Sequence, residues 1–391
     1  MLGNQWYKKE KPLTTMIGMG GGATGLVQSA GSVGKFTIGG TEYSIADGYS
    51  SPVPTSTLAG SEFTMQVTAG PFQAVIKLWG AGGGAGFRGG CAGSGAYVTG
   101  TFEFLDGETY HWVAGGGGKR GREGAQPIGG GGSGWGPNNG SSGSGGGGGG
   151  YSGLFKAPAP AAPSWKSQVY AVLIAGGGGG AGQLGSYADP HAARAGGAGG
   201  AVYPPAAAPF GTNFGGGRGS NPNQTGPTTQ IRGQYAEGPG NQGGGAPKSS
   251  APYGGEGGGN YAQSGLALQG ANYGSPSWPG DNGGGGGGGG GYWGGGSGGW
   301  PTAQQYGGGG GGGGFATVAP VHPEGIECTN VSGLIARHTG SPTPKATYAN
   351  SSDPDWGGAG KGSQYAGGPG PGSANDTNSG GRCGRVVIKA P

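Results

Sequence analysis

The chain has 391 residues, 113 of them glycine, with a formal net charge of +4 and only 10% charged side chains. Leu, Ile, Val and Phe together number 47, about 12% of the chain, which excludes a large conventional core: too few apolar side chains exist to offset the entropy of ordering so much glycine. The same figures exclude collagen, whose glycine recurs at every third position, and a basic nucleic-acid footprint.

Simple disorder fits poorly, because a nearly neutral chain with 17 Tyr and 9 Trp lacks the usual composition of a solvating segment. No stretch reaches the roughly 18 apolar residues of a spanning helix, so no membrane insertion is expected. The start, Met1 to Lys9, has no apolar run after its charges and does not read as a secretory signal. Cys91, Cys328 and Cys383 are odd in number and widely spaced, unlike a disulfide framework or a metal-ligand set.

Residues 1–35 form a mixed polar and apolar lead. Trp6, Tyr7, Leu13, Met16, Ile17 and Met19 give it more apolar area than its length could bury alone, so it is expected to dock on another chain. Residues 36–114 concentrate the β signals. Phe36-Thr37-Ile38 precedes Gly39-Gly40 and then Tyr43-Ser44-Ile45. Phe63, Met65 and Val67 alternate with polar residues, as in a half-buried strand. Phe72 to Trp79 and Tyr97 to Phe104 read as further strands. Asp106-Gly107 is a turn signal before Tyr110 to Val113. This segment is expected to form an antiparallel β-sandwich.

Residues 115–391 alternate glycine blocks with Pro-, Ser-, Asn-, Gln- and Tyr-rich stretches. Strands over 168–175 and 385–389 are expected to return to the sandwich. Helical periodicity is lacking throughout, so the fold class expected is mainly β with almost no α-helix. An internal echo joins two places: the strand ending at Trp79 runs into Gly80 to Gly86, and the strand ending at Ala175 runs into Gly176 to Gly182.

Runs such as Gly283 to Gly291 and Gly307 to Gly314 suit a polyproline-II-like helix of about three residues per turn, which has no internal hydrogen bonds. Without side chains such helices can approach closely and pair N–H with C=O across neighbours, each buried group finding a partner. A lattice of packed polyglycine-II helices is therefore expected beside the sandwich, the alternative being a flexible glycine linker.

Ala74 to Gly118 together with QVYAVLIAGGGGGAG resembles the glycine-rich domain of anaplastic-lymphoma-kinase-type receptors and its bacterial and phage relatives. The likeness covers roughly residues 70–390. It implies a β-sandwich combined with packed polyglycine helices. Lys11 to Thr24 resembles the N-termini of virion structural proteins of marine and cyanobacterial tailed phages. In architecture the chain is also similar to tail-tip adhesins of T-even-like phages, in which a polyglycine lattice displays loops that bind the host.

These resemblances imply a non-enzymatic tail-fibre or adhesin-type virion component. It would bind other virion proteins through its N-terminus, form a homo-oligomer (a trimer) and contact a host-surface glycan or protein. Alternatives are a capsid or head-fibre decoration protein and a secreted glycine-rich surface protein. No cofactor or metal is expected. His111 reads as an exposed cross-strand residue, His191 as a loop residue, and His322 and His338 lack metal-ligand spacing.

The aromatics that punctuate the glycine blocks, among them Tyr292, Trp293, Trp300 and Tyr306, have two readings: lattice caps, or an exposed recognition surface. The insert Gln183 to Arg194 supplies Tyr187, Asp189, His191 and Arg194. The stretch Trp300 to Tyr306 adds Gln304 and Gln305. Both are non-glycine interruptions suited to receptor contact.

Overall fold

A computed structural model describes residues 34–53, 60–86, 92–119, 126–134, 145–156, 165–182, 196, 199, 230–232, 263, 265–273, 284–298, 309, 311–312, 314–317, 322–327, 352–362 and 380–391. The chain divides into two compact units, Met1–Ser32 and Val33–Pro391, and the description below concerns the second. The unit is mainly β. Among the described residues the helical content is a single 3₁₀ turn, Gln168–Tyr170.

Among the described residues thirteen strands follow in chain order: β1 (Lys35–Ile38), β2 (Thr41–Ser44), β3 (Tyr49–Ser50), β4 (Ser61–Ala69), β5 (Phe72–Trp79), β6 (Tyr97–Phe104), β7 (Thr109–Ala114), β8 (Ser152–Phe155), β9 (Ala171–Ala175), β10 (Gln230–Arg232), β11 (Phe315–Thr317), β12 (His322–Glu327) and β13 (Arg385–Lys389). They form two antiparallel sheets. Eight strands lie in the order β10-β11-β9-β8-β7-β4-β1-β2, and five in the order β12-β6-β5-β13-β3.

Local chemistry explains the first hairpin. Gly39 and Gly40 have φ of 58° and 83°, the left-handed pair that a two-residue primed turn requires, and Ile38 pairs with Thr41 across it. The strand read over 168–175 is shorter: residues 168–170 make the 3₁₀ turn and pairing begins at Ala171. The Asp106-Gly107 turn does not close a hairpin either. It carries the chain from β6 in the smaller sheet to β7 in the larger one.

The two sheets face each other across one core. Phe36, Met65, Tyr110, Trp112, Leu154 and Leu173 come from the larger sheet; Ile76, Leu78, Phe102, Phe104, Val386 and Ile388 come from the smaller. Rings lock the layers: Phe36 meets Phe72 at 6.1 Å, and Phe104 meets Tyr110 at 4.9 Å, edge to face. At about 25 cal/mol per Å² of apolar area, this cluster is the main source of tertiary stability available to so apolar-poor a chain.

Alternation along the strands builds two smaller cores on the outer faces. Val113, Phe155 and Ile174 point out of the larger sheet and are covered by Tyr151, Leu268, Trp165, Tyr170 and Tyr292. Trp79, Tyr97 and Val387 point out of the smaller sheet and are covered by Ala359 and Trp356.

The glycine segments continue the strands. Residues 80–86 extend β5, 115–119 extend β7 and 176–182 extend β9, while 145–150 lead into β8 and 380–384 into β13. Their backbone hydrogen bonds go to other segments, with a period of three. Gly146 and Gly149 donate to Ala181 and Gly178; Gly147 and Gly150 donate to Lys119 and Gly116; Gly148 and Tyr151 donate to Gly132 and Gly129. Consecutive residues thus address three different neighbours, and every third residue returns to the same one.

Three segments form a closed ring at the centre of this bundle. Segment 145–150 donates to 176–182 as just described. Gly177 and Gly180 of that segment donate to Gly290 and Gly287. Gly287 and Gly290 in turn donate to Gly146 and Gly149. The described glycines of all three segments are buried.

Candidate functional site

The ladder of inter-segment bonds gives the bundle two ends. Ala81, Gly150, Gly178 and Gly290 lie at the level nearest the strands. Gly84, Gly147, Ala181 and Gly287 lie one repeat further out. At this far level sit the residues that flank five connections. Gly86 and Gly182 lie side by side, as do Gly145 and Gly285. The Tyr273 N–H donates to the Ser133 carbonyl, Gly298 donates to Gly286, and Gly309 donates to Gly180. The described residues that flank 87–91, 135–144, 183–195, 274–283 and 299–308 therefore lie at the end of the bundle opposite the strands.

Residues of two of these connections carry most of the sequence-derived recognition candidates. Tyr187, Asp189, His191, Arg194, Trp300, Gln304, Gln305 and Tyr306 lie outside the described residues, as do Trp6, Tyr7, Leu13, Met16, Ile17 and Met19. Tyr292 and Trp293 are described. They meet edge to face at 6.1 Å, and Tyr292 packs against the outer core of the larger sheet. Its carbonyl accepts from the Leu268 N–H at 3.3 Å and from the Gln168 side-chain amide.

His111 is a correction. It is buried on β7, not exposed, because Trp165 stacks on its ring at 4.7 Å. Thr64 Oγ1 lies 3.3 Å from its Nδ1, and burial lowers its pKa below the usual histidine value. Cys383 is buried, whereas Cys91, Cys328, His191 and His338 lie outside the described residues. Among the described residues no three His, Cys, Asp or Glu side chains gather to hold a metal, and no helix is long and apolar enough to cross a membrane.

No protein-family model matches the chain, and no curated protein matches it.

A charge cluster among the described residues was not evident from the sequence. Lys77, in the middle of β5, points out of the smaller sheet and donates to Asp353 at 2.7 Å and Asp355 at 2.8 Å; Lys389 of β13 donates to Asp355 at 2.8 Å. Burial alone would lower the Lys77 pKa, but the two carboxylates outweigh it and raise it. The hydrogen bonds from Lys389 and Lys77 hold the Asp355 carboxyl below its ordinary range. Trp356 lies under Lys361 at 4.7 Å and donates its indole N–H to the Ala359 carbonyl. A lysine between the apolar residues Ile76 and Leu78, with an Asp-Pro-Asp-Trp stretch elsewhere, was the available sequence signal. The cluster is a clasp: it ties residues 352–362 to the sheet, and Gly360 then joins the bundle by donating to Cys383.

The clasp gives a pH prediction. Asp355 has a depressed pKa in the folded state, so its contribution is complete above the unfolded carboxylate range and is lost as pH falls through the folded value. Asp355→Asn is expected to cost about 1–2 kcal/mol near pH 7, as a partly buried ion pair does, and less near pH 2. Denaturant midpoints of wild type and variant at the two pH values check this; an equal difference at both would refute it.

Proposed function

We propose that the chain is a virion structural protein of a tailed phage, a tail-fibre or adhesin-type component whose glycine bundle holds connecting loops toward a host surface. The observation that carries this reading is that the described residues flanking five connections gather at one end of the bundle. A rigid scaffold with its variable segments at one end is the usual arrangement of a recognition module. The function is non-enzymatic in this reading, with no cofactor. The partners are other virion proteins at the N-terminus, further copies of the chain in a trimer, and a glycan or protein of the host surface.

The finer architecture belongs to the same proposal: a β-sandwich whose strands run on into a lattice of polyglycine-II helices. The period of three in the inter-segment hydrogen bonds supports it, because a helix with three residues per turn turns each successive N–H by one third of a circle. None of Gly284 to Gly291 has a left-handed φ. Residue dihedrals near −75° and +145° across 283–291, measured by solution or crystal methods, are the expected result; α-helical or random values would remove the lattice.

Attachment tests the functional part. Tyr187→Ala and Trp300→Ala are each expected to weaken host binding by about 1 kcal/mol or more, with folding intact, if these rings are anchors. Unchanged attachment in both and in the double variant would leave a purely structural component. A chain beginning at residue 36 is expected to fold yet fail to enter particles; normal incorporation would rule out N-terminal docking.

A further inference from the structure

The segment 283–291 is glycine throughout. It hydrogen-bonds to segments 145–150, 176–182, 126–134, 265–273 and 294–298, and Gly309 and Gly312 pack against it. Its neighbours in the central ring inherit their axial position from strands: 145–150 runs into β8 and 176–182 out of β9. This segment has no strand adjoining its described residues. In the polyglycine-II reading, on which this inference rests, a shift by one residue with a third of a turn returns every N–H and C=O to an equivalent place. The lattice alone cannot choose among such registers. A side chain must.

We infer that Tyr292 is that side chain, a positioning residue that pins the nine-glycine run. It follows Gly291 directly, and its ring is held in the outer core with Tyr151, Phe155, Ile174 and Leu268. Its carbonyl is fixed by the Leu268 N–H and the Gln168 amide. Trp293, one residue on, bridges to Ala267. An independent feature marks the same spot: Leu268, with φ of 59°, is the one non-glycine left-handed residue among those described. A leucine there is strained in a way that glycine would not be. The strain places its side chain in the outer core while its N–H meets Tyr292. Tyr292 thereby belongs with the lattice caps and not with the receptor contacts.

The test is NMR of the full chain labelled with ¹⁵N-glycine, in wild type, Tyr292→Ala and Tyr292→Phe. The expected result is a single resonance set in wild type and in Tyr292→Phe. In Tyr292→Ala, the glycines of 284–290 and their bonded neighbours split into two or more sets, while isoleucine methyls of the sheet core stay single. A single set in Tyr292→Ala, shifted or not, would overturn the inference. Deleting Gly283 leaves Tyr292 in place and should keep one set; splitting there would overturn it too. Should Tyr292→Ala fail to fold, Tyr292→Leu is read in the same way. Wild-type glycine shifts without polyglycine-II character would instead remove the lattice reading itself, a separate outcome.

Discussion

Gly288→Ala should lower the unfolding free energy by about 3 kcal/mol or more, while Gly147→Ala should change it by less than about 1 kcal/mol. The substitutions are chemically identical and both sites are buried within the same bundle. A methyl on Gly288 would overlap the carbonyl oxygen of Gly295, and one on Gly146 would overlap that of Gly84. The obstacle is main chain hydrogen-bonded on several sides, so it cannot swing away as a flexible side chain would. On Gly147 the nearest atom, the Gly132 carbonyl oxygen, stands 3.2 Å from the methyl position, and Lys119 follows at 3.5 Å. The small crowding there is offset by the lower entropy of alanine in the unfolded chain, about 0.4–1 kcal/mol. Thermal or denaturant unfolding of the two variants decides the matter. Equal effects would mean that segments 145–150 and 284–291 do not pack as closely as their hydrogen bonds require.

Ser152→Ala is expected to cost about 2–4 kcal/mol. Ser152 is wholly buried where strands give way to glycine. Its hydroxyl donates to the Trp79 carbonyl at 2.6 Å and accepts from the Gly115 N–H at 3.1 Å. One side chain thus joins the end of β5 in the smaller sheet to the end of β7 in the larger. A methyl on Gly384, before β13, would strike that same hydroxyl. Alanine would leave a buried donor and a buried acceptor unpaired, at about 1–3 kcal/mol each, with some relief from relaxation. Urea unfolding followed by tryptophan fluorescence provides the measurement. A loss below about 0.5 kcal/mol would show that water or a shifted backbone replaces the hydroxyl.

Much of the β structure was legible because its signals are local. Gly39-Gly40 announced a turn that needs two left-handed residues, and Phe63, Met65 and Val67 announced one buried face of β4. The echo between residues 74–86 and 171–182 was visible too. In the fold the two glycine stretches prove to be neighbours running parallel, Gly178 donating to Ala81 and Ala181 to Gly84. Other features escaped for equally physical reasons. His111 looked exposed because its cover, Trp165, comes from 54 positions away and no pattern along β7 reveals it. The clasp at Lys77 uses Asp353 and Asp355, far along the chain, and Ser152 is one of many serines beside glycine.

By itself the sequence determined that this chain could not build a large side-chain core, that its order had to be mainly β, and that its glycine runs could be packed only by main-chain hydrogen bonds. Composition and alternation act residue by residue, so they survive without coordinates. Tertiary structure alone decided which sheet each strand joins. The Asp106-Gly107 turn reads as a hairpin and instead crosses between layers, β7 pairing with β4 and β8 of the larger sheet. It alone decided, too, which glycine segments surround which others, and that the residues flanking five connections gather at one end. Glycine residues are identical to one another, so their sequence carries no address. Their positions come from the strands they extend, from Ser152 at the seam and from the few side chains, Tyr292 among them, that distinguish one place in the bundle from the next.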